Sequence, residues 1–171
     1  MKDYVTIDLN LHPLAWAYLW RTSTNKDYPL ILPPDWPLAM IKHSLERQQI
    51  ITASEIKRQP RNMQHGQVFI PLRDFERHGG YIRLSRQASI SLALYRAEMK
   101  RLCTLTMSMR LATGNPLLPT LAYYLESEGY PEEVIKIDTL KKYYSRHYAT
   151  DERAIAEKIK ELHGRKGKIK A

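Results

Sequence analysis

Thr139, Lys141, Lys142, Ser145 and Arg146 bring two hydroxyls and three cations together within a short stretch. On a helix, residues three, four and seven apart share a face, so these five form one outward stripe. Ammonium and guanidinium groups donate to phosphate oxygens and guanine edges, and hydroxyls reach phosphates or bases. The stripe therefore suits nucleic acid. Leu140, Tyr143, Tyr144 and His147 occupy the other side, which suits packing. The pattern predicts an amphipathic helix over 139–148, capped by the Asp138 carboxylate accepting from a free backbone N–H.

Catalytic groups are sparse by contrast. The six histidines, at 12, 43, 65, 78, 147 and 163, include no pair four residues apart, and Cys103 is the single cysteine. A metal site, which needs several such donors at close spacing, is not expected, nor is a cofactor. One cysteine cannot form an internal disulfide, so Cys103 reads as a small core residue of a protein from a reducing compartment. Gly79, Gly80, Gly114 and Gly129 read as helix ends rather than a phosphate loop. Asp74 with Glu76, and Glu132 with Glu133, fall at helix starts, where the dipole favours acids. Tyr143, Arg146, His147 and Tyr148 place tyrosines beside cations, as in DNA strand-transfer enzymes, without the other groups such chemistry requires. No enzyme is expected.

The helix ahead of the stripe carries Leu118, Leu121, Ala122 and Leu125 at helical spacing and ends at Gly129-Tyr130-Pro131. Together the two helices resemble the helix-turn-helix modules of phage and plasmid regulators. The likeness covers about 30 residues, and its connector, about eight residues, exceeds the 3 to 4 of the standard turn. It implies a DNA reader whose second helix meets the major groove.

Charge partly relocates this reading. The formal net charge is +9, which favours a polyanionic partner. Residues 61–115 hold +6 of it and residues 131–171 hold +4, whereas residues 116–130 are at −2. Arg73, Arg77, Arg83, Arg86, Arg96 and Lys100 in the middle of the chain are therefore a second candidate surface for phosphate, since guanidinium donates two parallel bonds. Arg58 and Arg61 lie in or beside a loop and add to it.

Elements able to position these groups follow from periodicity. Val5, Ile7 and Leu9 alternate with polar residues as in a half-buried strand. Pro13 opens a short helix through Trp20, Leu30–Leu32 is a second strand, and Asp35 caps a helix with Leu38, Ile41 and Leu45 inward. Thr52 to Glu55 matches a capping box, and residues 59–67 read as a loop. The segments at 68–72, 71–80, 81–85 and from Gln87 then repeat strand, short helix, strand, long helix, either as an internal duplication or as two units alike by chance, since residue identity between them is slight. The long helix, to Thr113, would bury Leu92, Leu94, Tyr95, Met99, Leu102, Leu105 and Met109, with Arg86, Arg96, Lys100 and Arg101 outside. Thr150 or Asp151 caps a last helix with an Ile155, Ile159, Leu162 seam that can dock on the body or pair with its twin.

The expected fold is α+β and mainly helical: a mixed β/α body over 1–114, a helix-turn-helix-like region over 115–163 and a basic tail over 164–171. With 43% apolar and 26% charged residues the chain has a globular composition. No stretch reaches the ~18 apolar residues of a membrane span, and a cytoplasmic location is expected. The expected function is DNA binding, regulatory or related to mobile elements, by a non-enzyme without metal or cofactor, with duplex DNA as partner and a possible homodimer through the last helix. The alternative is a protein-interaction or assembly subunit whose charge is incidental, to which Trp16, Tyr18, Trp20 and Trp36 could contribute.

Overall fold

Alternating Ile7, Leu9 and Leu11, each at most 3% exposed, give β1 (Tyr4–Leu11) one apolar face and one polar face. The computed structural model describes residues 3–47 and 63–168, with side chains through 161. Beyond β1, the described elements are α1 (Pro13–Thr22), β2 (Leu30–Ile31), α2 (Trp36–Lys42), β3 (Gln64–Pro71), α3 (Leu72–His78), α4 (Leu84–Thr113), α5 (Leu117–Ser127), α6 (Ile137–His147) and α7 (Ala149–Lys168). This is the expected mainly helical α+β fold, with a small sheet early in the chain and helices after it.

The sheet order is β1-β3-β2. β3 runs antiparallel to β1, from Tyr4 opposite Pro71 to Leu11 opposite Gln64, and parallel to β2. A full duplication would place a fourth strand beside β1, at 81–85. Among the described residues one bridge forms there, Tyr81 to Glu46, and α4 begins at Leu84. Side chains of α4 take over instead: the Gln87 Oε1 accepts from the Asn10 N–H at 2.8 Å, and the Ser91 Oγ accepts from the His12 N–H at 2.8 Å. The repeat of elements thus stops after α3, because a helix satisfies the backbone that a strand would have paired.

β3 begins at Gln64, inside the loop expected over 59–67 and ahead of the strand expected from Val68. Gly66 explains why: a Cβ there would lie 2.5 Å from the Trp16 ring, so only glycine lets the strand pass the indole. The Trp16 Nε1–H donates to the Gln64 carbonyl at 2.7 Å and ties α1 to that strand. The capping-box stretch 52–55, Arg58, Arg61 and the 164–171 tail beyond Lys168 lie outside the described residues, as does the Leu162 side chain.

The chain divides into two units, Met1–Glu98 and Met99–Ala171, and α4 runs through the boundary. In the first unit a single apolar core joins β1, β2 and β3 to α1, α2 and the start of α4, through residues such as Leu9, Leu19, Leu30, Ile41, Ile70 and Leu94. Two ion pairs in this unit each join a partly exposed cation to a buried carboxylate. Lys42 Nζ meets the Asp74 carboxylate at 2.7 Å, and Arg21 meets the fully buried Glu98 at 3.3 Å. Leu92, expected on the buried face of α4, is 49% exposed. No described helix is long and apolar enough to cross a membrane.

Candidate nucleic-acid interface

The second unit is helical, and its local sequence fixes how α6 is presented. α5 ends at Gly129, whose φ of +68° suits a residue without Cβ. A connector over 128–136 follows, in which Ile135 is buried at 4% exposure and anchors the chain before α6. α6 then buries Leu140 and Tyr144. Its N-cap is Lys136, which makes no side-chain cap bond, and the expected cap Asp138 lies in the first turn. There the carboxylate still complements the positive end of the helix dipole.

A single residue, Tyr148, separates α6 from α7, so the expected cap at Thr150 or Asp151 has no gap to close. Glu152 instead locks the two helices to α4. It accepts from the Tyr144 hydroxyl at 2.8 Å and from the Arg110 Nε–H at 2.7 Å. Burial, and then the bond to Glu152, push the Tyr144 hydroxyl pKa well above that of an ordinary tyrosine. It therefore stays a neutral donor. The Tyr144 ring stacks on Tyr148 at 5.7 Å, and the Tyr148 hydroxyl donates to the Lys100 carbonyl at 3.2 Å. Burial also pushes the Cys103 thiol up to about 12, which keeps it protonated and without nucleophilic character.

With α6 held by its inner face, the outer face is free. Asp138, Lys141, Lys142, Ser145 and Arg146 are all exposed and together line one shallow trough of 340 Å³. Among the described residues, Lys141, Lys142 and Arg146 have no carboxylate partner. Thr139 is exposed beside the trough without lining it. His147, expected to pack, is exposed and lies against Tyr143 at 4.5 Å between ring centroids. No aromatic ring lines the trough.

The middle cations divide differently. Arg83 is held by Glu46 at 2.5 Å, which removes it from the open set. Arg101, expected outside, is partly buried against Glu128 at 3.1 Å. Arg86, Arg96 and Lys100 are exposed along α4. Arg83, Arg86 and Arg96 belong to the first unit, and Lys100 shares the second unit with α6. Arg73 is on α3, in a wider cleft of 610 Å³ lined also by Tyr4, Leu38, Phe69 and Glu76. The trough's residues were legible from helical spacing; the capture of Arg83 and Arg101 was not, because Glu46 and Glu128 are distant in sequence.

No protein-family model matches the chain, and comparison with curated proteins and with solved structures finds no match.

Proposed function

We propose that the protein binds double-stranded DNA through the outer face of α6. The observation that carries this reading is the trough itself: three cations and a hydroxyl on one exposed helical face beside a single carboxylate, Asp138, to which none of the three is ion-paired among the described residues. Asp138 offsets at most one of the three positive charges of Lys141, Lys142 and Arg146, so the trough keeps a net positive charge that phosphate complements. Duplex is favoured over single strands because single-strand grooves interleave cations with stacking rings, and no aromatic ring lines this trough. DNA is favoured over RNA duplex because the B-form major groove admits a helix, whereas the A-form groove is too narrow. Lys100, which belongs to the same unit as α6, is a candidate for an additional phosphate contact.

Titrating a labelled duplex at several salt concentrations tests the assignment with Lys142→Ala/Arg146→Ala. Losing two phosphate contacts should lower affinity across all sequences and reduce the slope of log K against log salt by about 2. Arg83→Ala, whose guanidinium is already engaged by Glu46, should leave that slope nearly unchanged. Equal binding by the double variant, or no binding by the wild type at low salt, overturns the role of α6.

A further inference from the structure

Asp138 is the one carboxylate lining the α6 trough, and among the described residues it makes no ion pair with Lys141, Lys142 or Arg146. On a surface that met phosphate alone it would only weaken binding, because two anions repel. Its place around the helix gives it another use. At 3.6 residues per turn, Ser145 points within about 20° of Asp138 on one side and Lys142 within about 40° on the other. Lys141 lies further out past Ser145, at about 60°, and Arg146 past Lys142, at about 80°. An acid and a hydroxyl therefore run along the middle of the exposed face, with cations at both borders. Asp138 also stands in the first turn of α6, and recognition helices meet base edges with their N-terminal residues.

We infer that Asp138 is a specificity-determining residue: with α6 in the major groove, its carboxylate accepts from the N4 amino group of a cytosine, while Lys141 and Arg146 reach phosphates on the two sides of the groove. This role rests on the DNA-binding reading of the same face. A helix lying in the groove turns its midline to the base edges and its borders to the two backbones. An ionised carboxylate only accepts hydrogen bonds. Guanine N7 and O6 and thymine O4 are acceptors too and repel it, and adenine sets its amino group beside the N7 acceptor, a pattern that suits an amide. Cytosine is left. Ser145, about two turns further along the midline, both donates and accepts, so it adds a contact without selecting a base. The helix dipole also favours an acid in the first turn, but position 139 would serve it as well, about 100° round from the midline.

Selection from a library of randomised DNA duplexes by the full chain, in wild-type form and with Asp138 replaced, tests this role. The wild type should enrich sites with cytosine at one position, preferred about tenfold over each other base. Asp138→Ala should lose the preference at that position alone. Asp138→Asn should move it to adenine, because an amide donates and accepts side by side. Asp138→Ala should also bind unselected duplex more tightly at low salt, since a repulsion from phosphate is gone. Lys141→Ala, by contrast, should weaken binding to all sequences alike and leave the cytosine in place. Both positions are exposed, far-UV circular dichroism establishes that the variants stay folded, and a gained adenine preference cannot come from unfolding. Absence of duplex binding by the wild type at low salt overturns the DNA-binding reading and this role together. Binding without base preference, or a preference that Asp138→Ala leaves unchanged, overturns this role alone and leaves the carboxylate as a partner of the helix dipole.

Discussion

The two units solve the burial problem in opposite ways. The first wraps helices around a three-stranded sheet, so that β1, β3 and α1 bury Leu9, Leu19, Val68 and Ile70 completely. The second has no strand among its described residues, and its helices bury Leu102, Leu121, Leu140 and Tyr144 while leaving apolar faces of α5 and α7 outside. A sheet offers a broad surface that helices can cover, whereas a few short helices have more apolar stripes than one small core can take up. The first unit is built around its interior and the second around its surfaces.

If that contrast is right, deleting the same side chain should cost more in the sheet-centred core. Leu9→Ala should destabilise by about 4 kcal/mol and Leu140→Ala by about 2 to 3 kcal/mol, because a helix pair can shift to close part of a cavity and a strand locked in a ladder cannot. Denaturant titrations followed by circular dichroism measure both, and equal losses would break the comparison. Next in size is the ion pair inside the first unit. Arg21→Met withdraws a guanidinium from the buried Glu98 carboxylate and should cost about 3 kcal/mol, while Arg21→Met/Glu98→Leu should recover most of it. No recovery would mean that Glu98 serves another partner more strongly than Arg21. The smallest effect sharpens the account of the second unit: Tyr144→Phe removes the donor to Glu152 but keeps the Arg110 bond, for a loss of about 1 kcal/mol. A loss as large as that of Leu140→Ala would make the polar tie, not apolar packing, the principal support of α6.

Periodicity revealed the elements whose pattern is local. Ile7 and Leu9 alternate, with Val5 partly buried, Leu140 and Tyr144 recur one turn apart, and Gly114 and Gly129 end helices at positive φ, as expected from their neighbours. What depended on distant residues was hidden. The 81–85 stretch has strand composition, but Gln87 and Ser91 reach the edge of β1 first. Gly66 gave no sign of a strand because its requirement is the Trp16 ring, fifty positions earlier in the chain. Within the candidate site, the stripe over 139–146 was visible, but its separation from the engaged Arg83 and Arg101 needed the positions of Glu46 and Glu128.

All three tryptophans, Trp16, Trp20 and Trp36, belong to the first unit, and the second contains only tyrosines among its strong chromophores. Light absorbed selectively by indole is therefore emitted from one unit alone. Trp16 is enclosed with Tyr28 at its edge, whereas Trp20 lies exposed beneath the Lys26 ammonium at 4.8 Å. Emission from the two should differ in wavelength and in access to dissolved quenchers. The protein thus carries a native optical label on its sheet-centred unit, while contacts made by α5, α6 or α7 must be followed by another signal.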